Sequence, residues 1–148
     1  MSNRADRPEL GLLSGLFVYG TLRSGEPAHG MLVPPPVQVL PGEVEGRLFA
    51  LPEGYPGLLD GTGRVRGELL LYPGGVPLPL LNRVDRFEGY YGPGDPRNLY
   101  DRIVVVVLTP RGELSAYAYR YRDAERAQRL GVWIPHGDWA RYRRERQI

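Results

Sequence analysis

Leu16-Phe17-Val18-Tyr19-Gly20-Thr21-Leu22-Arg23 is a short apolar run that stops abruptly at Tyr-Gly-Thr, and a polar segment containing Gly and Pro follows. It reads as a buried strand that ends in a tight turn, where Gly20 supplies backbone freedom or a close approach to a ligand. Successive N–H groups in such a turn can converge on one spot and form an anion-binding nest. The same residues also read as an ordinary strand end. What the turn is for depends on what the chain places beside it.

Outward from this stretch the chain is a series of short apolar runs separated by turn-formers. Gly and Pro number 20 and 15 of 148 residues, and they sit between the apolar runs. The length suits one ordinary domain. Residues 1–15 read as a flexible, polar leader and residues 16–148 as a single domain. Residues 16–20 form the first strand. A turn of helix over 26–33 is closed by Pro34-Pro35-Pro36, which must be extended. Residues 37–40 and 44–49 read as one or two strands around Pro41-Gly42, and 52–63 as a Pro/Gly-rich loop. Arg64 to Tyr72 alternates in the manner of a half-buried strand. Ile103 to Leu108 is a continuous β-branched run, which predicts a central strand covered on both faces. Pro110-Arg111-Gly112 turns it into a hairpin with Leu114 to Tyr121. Asp123 to Leu130 and Gly137 to Arg144 read as short helices. Strands outnumber helices and long βαβ units are missing. The expectation is an α+β fold: a small mixed or antiparallel β-barrel with a few short flanking helices.

The clearest helix spans Pro77 to Gly89, with Pro allowed in the first turn and Gly89 as the stop. Leu81, Val84 and Glu88 fall at i, i+3 and i+7 on its apolar stripe, while Arg83, Asp85 and Arg86 face elsewhere. Burial and the negative end of the helix dipole both disfavour the Glu88 carboxylate and push its pKa upward. A carboxyl so tuned suits general acid–base work near neutral pH. Two structural alternatives stand beside that reading. Glu88 can reach solvent past Gly89, or pair with Arg102.

Composition removes whole classes of chemistry. The sequence contains no Cys, hence no disulfide, thiolate metal site or Cys nucleophile. Its basic residues are all Arg, which excludes Schiff-base and lysine-base chemistry. His29 and His136, the two His, lack ligand-like spacing. No apolar run reaches the ~18 residues of a membrane span, and no secretory signal is visible. A cytoplasmic location is expected. The net charge is only +2, with Arg141, Arg143, Arg144 and Arg146 crowding the C-terminus. That cluster reads as a solvated helix end rather than a nucleic-acid stripe.

Several residues together resemble a known family: Val18-Tyr19-Gly20-Thr21-Leu22-Arg23, then Glu88-Gly89-Tyr90 after a short helix, Tyr100-Asp101-Arg102 opening a Val-rich strand, Ala116-Tyr117-Ala118-Tyr119, and Gly137-Asp138-Trp139. This order resembles the γ-glutamylcyclotransferase-like (AIG2-like) superfamily, and most of all its small bacterial members and the γ-glutamylamine cyclotransferases. The likeness spans about residues 16–142. It implies a β-barrel of about six strands, no metal and no organic cofactor, and release of 5-oxoproline from a γ-glutamyl amine, amino acid or peptide. By motif, Glu88 takes the catalytic position. Tyr19, Gly20, Thr21 and Leu22 take that of the loop holding the γ-glutamyl group, and Tyr119 that of a pocket wall. The expected partner is therefore a small γ-glutamyl molecule, with no nucleic acid and no membrane. The rival expectation is a module on the same barrel that binds a small carboxylate or γ-glutamyl ligand with little turnover.

Overall fold

The computed structural model describes residues 12–146. The elements are β1 (Gly15–Val18), a 3-10 turn (His29–Met31), β2 (Gln38–Ala50), β3 (Pro56–Leu71), α1 (Leu78–Phe87), β4 (Tyr100–Thr109), β5 (Gly112–Tyr121), α2 (Ala124–Leu130), β6 (Val132–Ile134) and α3 (Trp139–Arg146). Neighbouring strands run β3-β1-β5-β4-β2, and a β2–β3 ladder joins the two ends, so five strands close into a barrel. β1 pairs with β5 in parallel, and every other pairing is antiparallel. β6 extends the far end of β2. The expected α+β barrel with short flanking helices is what forms. Most of the leader expected over residues 1–15 lies outside the described residues. Residues 12–15 are folded: the Leu13 N–H donates to the Tyr117 hydroxyl at 3.0 Å, and Gly15 opens β1.

Alternation along β1 divides the core. Phe17 joins Val44, Leu48, Val65, Leu69, Val107 and Ala116, so all five barrel strands meet inside. Leu16 and Val18 point the other way and pack with Leu80, Leu81 and Val84 of α1. The apolar stripe predicted for that helix is therefore its buried face.

Of the one or two strands expected around Pro41-Gly42 the structure has one, and two other local expectations are corrected. Residues 37–40 and 44–49 belong to one strand that runs straight through Pro41-Gly42. Proline is tolerated there because β4 joins that edge of β2 only from Glu43, opposite Leu108. The loop expected over 52–63 is a turn only as far as Tyr55. Residues 56–63 continue β3 against β2, with Gly57 opposite Phe49 and Leu58 opposite Leu48. A side chain at Gly57 would meet the Tyr121 Cβ at 3.0 Å, so this glycine marks close strand packing rather than a loop. The valine run of β4 is covered on one face only: Val107 is fully buried, but Val104 is 62% and Val106 54% exposed. A closed barrel has a single interior, and among the described residues no helix packs over this outer face.

A bulge bends the long β2–β3 ribbon into the ring. The register shifts between Glu45 and Arg47, and Gly46 takes a φ of 153°. A Cβ there would sit 2.8 Å from the Leu59 carbonyl oxygen, so glycine is required at the bend. Among the described residues, no helix is long and apolar enough to cross a membrane.

Candidate active site

One end of the barrel opens into a cavity of about 470 Å³. Its walls come from the end of β1 and the turn after it, the start of β3, the end of α1, the residues leading into β4, and Tyr119 of β5. Tyr19, Gly20, Thr21, Leu22, Glu88 and Tyr119, the six residues singled out in the sequence, all line it. They lie up to a hundred positions apart in the chain, and barrel closure brings them together.

The end of α1 sets the position of Glu88. The helix stops at Phe87, and Glu88 caps it with φ −85° and ψ −3°. Gly89 follows in the left-handed region at φ 70°. The Gly89 N–H donates to the Arg86 carbonyl at 3.1 Å and the Tyr90 N–H to the Asp85 carbonyl at 2.8 Å. These two bonds form a Schellman motif, which fixes where the chain leaves the helix. Burial raises the Glu88 pKa to about 7. The anticipated ion pair with Arg102 does not form. Arg102 instead donates to Asp85 Oδ2 at 2.6 Å.

The turn at the end of β1 has its carbonyls occupied and its donors free. The Gly20 carbonyl accepts from the Arg23 N–H at 3.1 Å and the Thr21 carbonyl from the Ala28 N–H at 2.9 Å. The Leu22 carbonyl lies 2.8 Å from His29 Nδ1. The N–H groups of Gly20, Thr21 and Leu22 donate to nothing among the described residues. Three successive unused donors at a cavity wall suit an anionic oxygen.

The buried tyrosines knit the walls together. The Tyr19 hydroxyl donates to the Tyr119 carbonyl at 2.6 Å and accepts from the Leu58 N–H at 3.2 Å. That one phenol ties β1, β5 and β3 at the cavity mouth. The Tyr100 hydroxyl donates to the Pro56 carbonyl at 2.6 Å, and the Tyr119 hydroxyl to Asp85 Oδ1 at 2.5 Å. Burial holds all three phenols far above their ordinary pKa, with the nearby Glu88 charge adding to the effect. They are therefore neutral at any physiological pH.

Sequence reasoning missed Asp85, Tyr100, Phe87 and Leu99. Asp85 lies off the apolar stripe of the helix, as expected, yet its side chain is only 13% exposed and binds both Tyr119 and Arg102. Its i, i+3 spacing from Glu88 carries the missed signal, because the two share one side of the last turn. Tyr90 is buried beside the Arg102 guanidinium, and Tyr91 is exposed beneath Arg97. The connection over 91–99 is held by Asn98, which accepts from the Tyr91 N–H at 2.7 Å and donates to the Gly92 carbonyl at 2.7 Å. It thereby sets Leu99 at the cavity rim. Among the described residues no three His, Asp or Glu side chains come together as metal ligands would.

The closed mixed barrel with an extra strand and short helices is the AIG2-like fold, and Glu88 and the donor-rich 20–22 turn line one cavity of it. The chain belongs to the γ-glutamyl cyclotransferase, AIG2-like family, whose profile its sequence matches over residues 16–141. It is 37% identical over 132 residues to a γ-L-glutamyl-butirosin B γ-glutamyl cyclotransferase from Niallia circulans, covering 88% of this chain and 78% of that one. Solved structures share the fold. An AIG2-like protein from Mus musculus superposes with a TM-score of 0.62 at 22% identity, over 86% of this chain and 88% of the other. YkqA from Bacillus subtilis superposes with a TM-score of 0.69 at 24% identity over 92% of this chain. The present chain spans only 43% of the length of that protein.

Proposed function

We propose that this protein releases 5-oxoproline from a γ-glutamyl amine, amino acid or peptide, with Glu88 as the general base and acid. The reading rests on one observation above the others. Among the described residues Glu88 is the only acidic side chain lining the cavity; burial raises its pKa to about 7, and it shares that cavity with the N–H groups of residues 20–22, which have no partner among the described residues.

The substrate carries its own nucleophile. Glu88 as carboxylate takes a proton from the α-ammonium. The freed amine attacks the γ-carbonyl carbon, and the carbonyl oxygen becomes an oxyanion. The donors of the 20–22 turn stabilise that oxyanion or hold the α-carboxylate. Glu88, now protonated, gives its proton to the leaving nitrogen. The C–N bond breaks, the ring nitrogen gives up its second proton to the regenerated Glu88 carboxylate, which passes it to the departing amine, and 5-oxoproline and the ammonium product depart. Ring closure within one bound molecule gains roughly 7–11 kcal/mol over a bimolecular attack when the pose is right. The two proton transfers add about 10²–10⁴-fold. A pKa near neutrality serves both directions, since about half of the carboxyls are ionised at pH 7.

The test is 5-oxoproline release from a panel of γ-glutamyl amines and dipeptides by the wild type and by Glu88→Gln. Turnover by the wild type that drops at least 100-fold in the variant is the expected result. Equal turnover in both, or ligand binding with no product from either, overturns the role given to Glu88.

A further inference from the structure

Each buried tyrosine of the cavity spends its single proton on the protein itself. Tyr119 donates to Asp85 Oδ1, Tyr100 to the Pro56 carbonyl and Tyr19 to the Tyr119 carbonyl. Tyr19 also accepts from the Leu58 N–H. The hydroxyl oxygens of Tyr100 and Tyr119 receive no hydrogen bond from any described residue. A phenol has one donor and spare acceptor capacity, so these two oxygens can offer a ligand only lone pairs. The two residues are 4% and 3% exposed, and both line the same cavity as Glu88.

The cavity lining therefore holds the N–H donors of residues 20–22, without partners among the described residues, together with the acceptor oxygens of Glu88, Tyr100 and Tyr119. Asp85 maintains that division. Its carboxylate, paired with Arg102 at 2.6 Å, cannot donate, and so the Tyr119 proton stays turned away from a ligand.

We infer that Tyr100 and Tyr119 are the binding site for the substrate's α-ammonium group, with Asp85 as the positioning residue that keeps Tyr119 an acceptor. The inference rests on the cyclotransferase reading for the identity of the substrate, but its geometry stands independently of turnover. An ammonium has three N–H bonds. One faces Glu88 and supplies the transferred proton, and the other two are held by the phenol oxygens.

The test uses two ligands that differ only in the amine: L-γ-glutamylethylamine and the monoethylamide of glutaric acid, which lacks the α-amino group. Binding of each is measured by calorimetry to Glu88→Gln, which blocks turnover. The same measurements follow with Tyr100→Phe, Tyr119→Phe or Asp85→Asn added, and thermal unfolding confirms that each variant is folded. The amine-bearing ligand is expected to bind more tightly. Each Tyr→Phe change should weaken that ligand alone, by roughly 10–100-fold for a hydrogen bond to a charged group. Asp85→Asn should act in the same direction. A preference for the amine that survives both Phe substitutions overturns the proposal. So does equal weakening of the two ligands, which marks a structural role only, or failure of both to bind. Wild-type 5-oxoproline release separates the two readings. Discrimination without turnover sinks the proposed reaction and leaves the ammonium site standing; turnover without discrimination does the reverse.

Discussion

Replacing Glu88 by Gln should stabilise the fold while abolishing its chemistry, and the gain should depend on pH in a fixed direction. Burial lifts the carboxyl from an ordinary 4.5 to about 7 in the folded chain. Between those values the folded state holds a proton that the unfolded chain has released. Stability therefore falls as pH rises. The contribution of neutral Glu88 is fully present below 4.5 and is lost as pH passes through about 7. At about 1.36 kcal/mol per pH unit the whole interval amounts to about 3 kcal/mol. Gln keeps the shape and the neutral hydrogen-bonding character but cannot ionise. The assay is urea unfolding of both proteins from about pH 5 to about pH 8.5. The advantage of Glu88→Gln should grow across that range by about 2.5 kcal/mol, or roughly 5–10 °C in Tm for a chain of this length. A difference that is flat with pH would refute the argument that burial holds this carboxyl neutral. A difference that shrinks toward high pH would mean that Glu88 is ion-paired after all.

In the wild type, kcat/KM should fall with unit slope below an apparent pKa near 7, since the base must be ionised to take the ammonium proton; a rate–pH profile with no break between about pH 6 and pH 8 contradicts this. Gly67→Ala would place a Cβ 2.3 Å from the Val18 carbonyl oxygen and 2.8 Å from Phe17 Cζ. It should cost about 1–3 kcal/mol by overpacking and raise KM by displacing the turn that follows Val18, as unfolding curves and steady-state kinetics would show. Leu80→Ala empties a fully buried site between α1 and the barrel, and should cost about 2–5 kcal/mol in chemical denaturation.

The parts of this molecule readable from its sequence are those governed by local chemistry. The β1 strand and its turn, the apolar stripe of α1 and the stop at Gly89 all follow from residues within one or two turns of each other. Glu88 was legible because it breaks a local rule, a carboxyl on an apolar stripe, and Tyr119 only through resemblance. The misses are questions of distant partners. The residues from Pro56 to Gly63 look like a loop because their strand character comes from β2 across the ribbon, not from their own side chains. The valines of β4 look doubly covered because a run of β-branched residues does not reveal whether a second layer packs outside. The helix period puts Asp85 off the apolar stripe but cannot show that β5 brings Tyr119 within 2.5 Å of it.

The parallel contact between Leu16 and Tyr117 joins positions about a hundred residues apart, and the Tyr19 hydroxyl bridges a similar span to the Tyr119 carbonyl. Contacts of such sequence separation form late, because the loop-closure entropy must be met before they return anything. On the ribosome, β1 and its turn emerge long before β5 exists to hold them. One edge of the N-terminal strand can pair with β3, but the other stays open until nearly the whole barrel has been made. Turnover should thus appear as a single step at the end of folding, in register with barrel closure, and refolding followed by Tyr fluorescence and by recovered activity should give one shared rate.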